Sequence, residues 1–254
     1  DYVTCVFMPH ANPFIRLGLH LPRLRKHWQL DLIHTQYVIP LLPAKGNAVT
    51  IHDILFEPFP QFFGKFFVLR SRTMMRFSAH RADLIFTVSE YSKQELITRY
   101  KVAPERIAVV LNAVDSNTFF PGRAGEELLG RRGLTSGNYL LTVGRIEPRK
   151  NHAGLIIAYG QLPGDPPPLV IVGQREFGYG EFEHAIAALP ANRHVLILSD
   201  VQDNELPVLY RHAMLFVYPS FAEGFGMPPL EAMASGTPVI TTQSTALPEV
   251  VGDA

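Results

Sequence analysis

Cysteine is all but missing from this sequence. Cys5 is the single thiol in 254 residues, so no internal disulfide can form and a disulfide-stapled scaffold is excluded. Cys5 sits among Val3, Val6 and Phe7, and is expected to be a buried, inert thiol in a strand over residues 3–8, consistent with a reducing compartment. No run is long and apolar enough to span a bilayer as a helix. Excess charge is missing too: 23 Lys+Arg balance 23 Asp+Glu, and no nucleic-acid partner is expected. The balance hides an asymmetry. Residues 1–121 hold 14 basic and 9 acidic side chains, and residues 122–254 hold 9 and 14. The basic half suits a lipid surface or an anionic acceptor, unless the partition is chance. The ten histidines show no metal-ligand spacing, His10, His20 and His27 being scattered, and no paired-aspartate motif occurs. No Gly-x-Gly-x-x-Gly follows the first apolar run, which argues against a nicotinamide dehydrogenase.

What is present is a rhythm. Short apolar runs at 3–8, 32–34, 48–52, 84–88, 107–111, 139–143, 169–172, 195–198, 215–218 and 239–241 alternate with helical patterns at 14–27, 61–80, 91–100, 151–161, 180–189, 204–212 and 230–235. Nearly continuous apolar strands between helices predict parallel sheets covered on both faces, hence an α/β class. The stretch 112–138, with Pro121-Gly122 and Gly133-Leu-Thr-Ser-Gly137, interrupts the rhythm and reads as the passage between two domains, 1–121 and 122–254. In the helix predicted at 61–80, Phe62, Phe63, Phe66, Leu69, Met74 and Phe77 share a broad face beside a stripe of Lys65, Arg72 and Arg76. This is either a core face with a solvated edge or a membrane-surface pattern. Residues 14–27, with Arg16, Arg23, Arg25 and Lys26, carry a weaker version.

Three stretches carry candidate chemistry. Glu223-Gly-Phe-Gly-Met-Pro-Pro-Leu-Glu231 follows an apolar strand and opens a helix whose first turn suits Pro228 and Pro229. The Gly224-Phe225-Gly226 turn and the positive end of the helix would face an anionic ligand. Singly, Glu223 and Glu231 are ordinary loop and first-turn carboxylates. Gly144-Arg-Ile-Glu-Pro-Arg-Lys-Asn151 also joins a strand to a helix, and Arg145 and Lys150 there form a potential diphosphate clamp. Arg149 is expected to point away if Lys150 points in. His52, at the end of a buried parallel strand, stands where α/β sheets keep ligand-contacting groups, or is simply a satisfied strand-end histidine.

Together with Ala234-Ser-Gly-Thr-Pro238, Thr87-Val-Ser-Glu-Tyr-Ser92 and Asn112-Ala-Val-Asp115, these stretches resemble the retaining glycosyltransferases of family 4 (group 1) across nearly the whole chain. The resemblance implies the GT-B fold: two Rossmann-like domains with parallel sheets facing a cleft, here with both ends expected to be truncated. It implies that Gly144, Arg145 and Lys150 bind the donor diphosphate and that Glu223 contacts donor-sugar hydroxyls. Gly224, Phe225 and Gly226 would face sugar and phosphate. Glu231 would hold the ribose, and the backbone of the Asp200-Val201 loop would read the base. His52 would lie near the transferred sugar. The wording from Val49 to Glu57 resembles bacterial mannosyl- and rhamnosyltransferases of polysaccharide assembly.

The implied function is metal-independent hexosyl transfer, mannose favoured, from a nucleotide-diphosphate sugar such as GDP-mannose to a glycan or lipid-linked acceptor. No cofactor is expected. The implied place is the cytoplasm, at the inner face of the membrane if the 61–80 helix touches it. The alternative is a nucleotide-sugar-binding module without efficient catalysis. The sequence departs from the family in lacking a Gly-rich loop after its first run and in stopping soon after Glu249-Val-Val.

Overall fold

The computed structural model describes residues 3–8, 12–42 and 45–252. The chain divides into two compact units, 1–111 and 112–254.

In the first unit, helix α1 (Pro13–Ile15), a π-helical turn (Arg16–His20) and helix α2 (Leu21–Trp28) precede strand β1 (Ile33–Gln36). Strand β2 (Asn47–Thr50), helix α3 (Lys65–Arg81), strand β3 (Leu84–Thr87), helix α4 (Glu90–Tyr100) and strand β4 (Ile107–Val109) follow. The four strands are parallel and lie in chain order. Val49, Ile51, Ile85, Leu96, Tyr100 and Ile107 form the core. Ser89 caps α4 by accepting the Ser92 N–H at 3.1 Å, satisfying one of the donors a helix start leaves open.

The expected strand over 3–8 is not there. Those residues form no ladder, Val3 and Phe7 are exposed, and Cys5 is an exposed thiol rather than a buried one. An apolar run becomes a strand only where a neighbour accepts its backbone, and β1 occupies the edge beside β2. The 61–80 helix is also revised. It begins at Lys65, after a 3₁₀ turn at Pro60–Phe62, and buries Val68, Ser71, Ser78 and Ala79. Phe66 and Leu69, on the face that periodicity offered either to a core or to a membrane surface, are 80% and 63% exposed, so they are not core. Arg72 pairs with Glu57 at 2.9 Å instead of joining a basic stripe.

The second unit runs α5 (Glu127–Arg131), β5 (Leu140–Val143), α6 (His152–Gly160), β6 (Leu169–Val172), α7 (Gly180–Ala187), β7 (Val195–Leu198), α8 (Leu206–Arg211), β8 (Leu215–Tyr218), α9 (Met227–Ala234), β9 (Val239–Thr241) and α10 (Leu247–Val251). Its sheet is parallel in the order β7-β6-β5-β8-β9. β6 is buried at all four positions, as a central strand covered on both faces requires. Residues 112–138, expected to be a passage, contribute α5 and the buried Leu129 and Leu134 to this unit's core.

The strand order reverses at β5. The chain lays β6 and β7 on one side of it, then crosses back to β8 and β9 on the other. In an open α/β sheet the loops at the carboxyl ends of the two strands flanking such a switch diverge and leave a crevice. The loops in question are 144–151 after β5 and 219–226 after β8. At the same end β5 and β6 approach so closely that a Cβ on Gly173 would lie 2.0 Å from the Gly144 carbonyl oxygen, so position 173 admits no side chain.

Candidate functional site

The loop after β5 turns at Gly144 (φ 154°) and enters α6 through Asn151, whose left-handed backbone (φ 57°) Asn tolerates better than most residues. The Asn151 side-chain amide donates to the Pro219 carbonyl at 3.2 Å. The Phe221 N–H donates to the Arg149 carbonyl at 2.9 Å. These bonds hold the two switch-point loops against each other and fix what lies between them.

Between them is the Glu223 carboxylate, 7% exposed. Its Oε1 accepts from Lys150 Nζ at 2.7 Å, Ser220 Oγ at 2.6 Å and Tyr218 OH at 2.9 Å. Its Oε2 faces Arg149 Nη1 at 2.9 Å. The Glu223 N–H donates to Thr245 Oγ1 at 2.8 Å. Arg149 also donates to Glu147 Oε1 at 2.6 Å and to the Ala222 carbonyl at 2.5 Å. Two carboxylates and two cations thus share one buried cluster of zero formal charge.

Burial alone would push the Glu223 carboxyl up, but Lys150 and Arg149 beside it reverse the sign and hold it below the usual carboxylate range. Burial pulls the Lys150 ammonium below its ordinary value, and Glu223 only partly restores it. Arg149 meets the same burial, yet Glu223 and Glu147 raise it above the usual guanidinium value.

The other sequence-predicted residues fall as follows. Gly224, Phe225 and Gly226 are buried in the turn leading to α9. Gly226 takes φ 121°, where a Cβ would also meet Leu247 at 2.8 Å, so only glycine fits. Glu231 lies in the second turn of α9, not the first as expected, because Pro228 and Pro229 sit at the helix start from Met227. Its Oε2 accepts from Tyr210 OH at 2.8 Å, and burial raises its carboxyl. Val201 is half-buried ahead of α8, in a loop shaped by Arg132 pairing with Asp200 and Glu205, each at 2.8 Å.

Arg145 is not gathered in: its side chain is 70% exposed and pairs with Glu176 at 3.6 Å. The Arg149 expectation fails, since both cations turn inward. Residues 148–150 form a 3₁₀ turn rather than an extended strand, so neighbouring side chains do not point to opposite faces. Arg149, Tyr218 and Ser220 were missed as site residues. The one signal for Arg149 was its place as a third cation between Arg145 and Lys150.

In the first unit His52 lies just past β2, half-buried, its ring 5.3 Å from that of Tyr37. Tyr37 was also missed. It is a non-glycine residue at φ 61°, held by its N–H to the Thr50 carbonyl at 2.8 Å, and the Val38 N–H reaches back to the Gln36 carbonyl at 2.7 Å. A bulky residue in that region stores strain. Burial, with Asp53 nearby, pushes the Tyr37 hydroxyl up to about 12. Among the described residues no group of three or more His, Cys, Asp and Glu could hold a metal ion, and no helix is long and apolar enough to cross a membrane.

Switch-point loops carrying glycines, two buried cations and the carboxylate between them form a Rossmann-like crevice at the place where open α/β sheets bind ligands. Comparison with known proteins is specific. The family model described as Glycosyltransferase Family 4 matches residues 2–118, and that described as Glycosyl transferases group 1 matches residues 131–254. The chain belongs to glycosyltransferase family 4 (group 1), with the GT-B type of fold.

It is 38% identical over 212 residues to O-antigen chain mannosyltransferase B of Escherichia coli, covering 82% of this chain and 55% of that protein. It is 34% identical over 220 residues to the O-antigen chain mannosyltransferase RfbU of Salmonella typhimurium, covering 85% and 57%. The chain thus spans little more than half the length of these curated relatives. A glycosyltransferase from Rickettsia africae superposes with a TM-score of 0.72 at 19% identity, covering 98% of this chain and 67% of that one.

Proposed function

We propose that this chain is the transferring part of a retaining hexosyltransferase that moves mannose from GDP-mannose to a glycan or lipid-linked acceptor. The observation that carries the reading is the Lys150–Glu223 pair between the switch-point loops. The mannosyltransferase names of the two relatives support the choice of sugar.

In the reaction the bond between the sugar C1 and the β-phosphate oxygen breaks, leaving its electron pair on the diphosphate. The acceptor hydroxyl oxygen bonds to C1 from the same face, and its proton goes to the departing phosphate. Lys150, Arg145 and the start of α9 stabilise the charge that develops on the leaving group, with no metal or cofactor assigned to that work. The backbone of Gly144 and of the Gly224–Phe225–Gly226 turn lines sugar and phosphate. Glu231 takes the ribose and the Val201 loop takes the base. His52 hydrogen-bonds a hydroxyl of the transferred sugar. Glu223 positions rather than attacks, because four donors already occupy its oxygens.

Thermal unfolding with a panel of nucleotide sugars, followed by a transfer assay, tests this. GDP-mannose at 100 times its dissociation constant should stabilise the protein by about 2.7 kcal/mol, and GDP should be released slowly without acceptor. A shift with another donor only would overturn the choice of sugar. A shift without any turnover would leave a binding module.

The same reading places the protein in the cytoplasm, at the inner face of the membrane, through α3. Phe66 and Leu69 stand out from it beside exposed Lys65, Arg70 and Arg76. Co-sedimentation with phosphatidylglycerol vesicles is expected at low salt, and should be weakened about tenfold in the double variant Phe66→Ser, Leu69→Ser. Equal binding of the variant would remove α3 as the contact.

A further inference from the structure

We infer that Arg149 is a positioning residue for the transfer: it holds the Glu223 carboxylate ionised and in place when Lys150 turns to the donor diphosphate. The inference rests on the function proposed above and adds a residue that reading does not use.

Two groups compete for Lys150. Lys150 is asked to bind diphosphate, yet it donates to Glu223 Oε1 at 2.7 Å and also to the Tyr218 hydroxyl. An ammonium has three donors but one charge, and a diphosphate competes for that charge. As Lys150 engages the donor, the buried Glu223 loses part of its ionic support. A buried carboxylate without a cation takes up a proton or moves.

Arg149 prevents both. It addresses the other oxygen, Oε2, at 2.9 Å. Its planar fork is anchored through Nη2 by Glu147 at 2.6 Å, and Nη1, which faces Glu223, also donates to the carbonyl of Ala222, the residue just before Glu223. Its own carbonyl accepts from the Phe221 N–H and from Ser220 Oγ at 3.2 Å. The guanidinium is therefore tied to both loops at once, and its side chain is only 15% exposed. No donor contact has to be given up for it to stay. Lysine could not reproduce the arrangement, since a point charge lacks the two-sided fork that meets Glu147 and Glu223 together.

The groups facing Glu223 are Arg149 and Lys150 from the β5 loop and Tyr218 and Ser220 from the end of β8, with Glu147 behind Arg149. Of these only Arg149 and Lys150 are cationic. With Lys150 on the donor, Arg149 alone keeps Glu223 anionic.

The test uses the full-length protein with GDP-mannose and acceptor. Arg149→Met should lower kcat by about 30-fold or more, with donor KM within about threefold, and move the acidic limb of the kcat profile to higher pH. Arg149→Lys should recover part of the loss. In parallel, the carboxyl carbon of Glu223 should titrate at higher pH in Arg149→Met than in the wild type when followed by ¹³C NMR, with GDP bound. Unchanged kcat, a rise in donor KM alone, or an unmoved Glu223 titration would overturn the inference. If the wild type transfers no sugar, the proposed function fails; the Glu223 titration still decides the role of Arg149.

Discussion

Glu223→Gln is expected to reduce turnover about 100-fold or more, in the range of removing a preorganised electrostatic contact from a transition state. The substitution keeps the volume and removes the charge. It also turns one of the two oxygens into an NH₂ group. Both oxygens accept bonds here, Oε1 from three donors and Oε2 from one, so either orientation of the amide sets donor against donor. Lys150 and Arg149 then share only Glu147, and the buried cluster carries one uncompensated positive charge. Breaking a buried pair from one side costs roughly 3–5 kcal/mol of stability. Turnover and the unfolding midpoint should therefore fall together. Arg145→Ala should behave differently. Its side chain lies in solvent, so stability should change little, while donor KM should rise and kcat should fall by less than in Glu223→Gln. Full activity in Glu223→Gln would sink the positioning role.

The contrast between these arginines shows how far the sequence could be read. Strand positions and the parallel α/β class were legible because a strand covered on both faces has to be almost uniformly apolar, as Leu169–Val172 is. The turn at Gly224–Phe225–Gly226 was legible because Gly226 occupies a backbone region that side chains avoid. Residues 3–8 misled because they are apolar without being paired. Phe66 and Leu69 stayed ambiguous because periodicity finds a face of a helix but not what covers it. Arg149 misled because alternation of facing assumes an extended backbone, and residues 148–150 are a 3₁₀ turn. The partners of Glu223 were illegible in principle. Tyr218, Ser220 and Thr245 are brought to it by β8 and the loop before α10, and such proximity has no local signature.

His152 opens α6, is 3% exposed, packs edge-on to Phe182 at 6.4 Å, and leaves its buried Nδ1 without a partner. Burial, with Lys150 adding to it, lowers its pKa from 6.5 to about 4. Below pH 6.5 the unfolded chain binds a proton that the folded chain refuses, so stability falls as pH drops, until the folded form also protonates near pH 4. The loss amounts to about 3 kcal/mol across that window. Glu223 acts at lower pH. Its folded carboxyl lies below the ordinary 4.5, so its contribution is intact above that value and is lost only as pH falls further. Acid unfolding of the second unit should therefore begin with His152. Urea unfolding at pH 7 and pH 4.5 should show His152→Leu losing about 2–3 kcal/mol less than the wild type between the two. Equal losses would mean that His152 is protonated in the folded protein, with an ammonium and an imidazolium side by side at the entrance to α6.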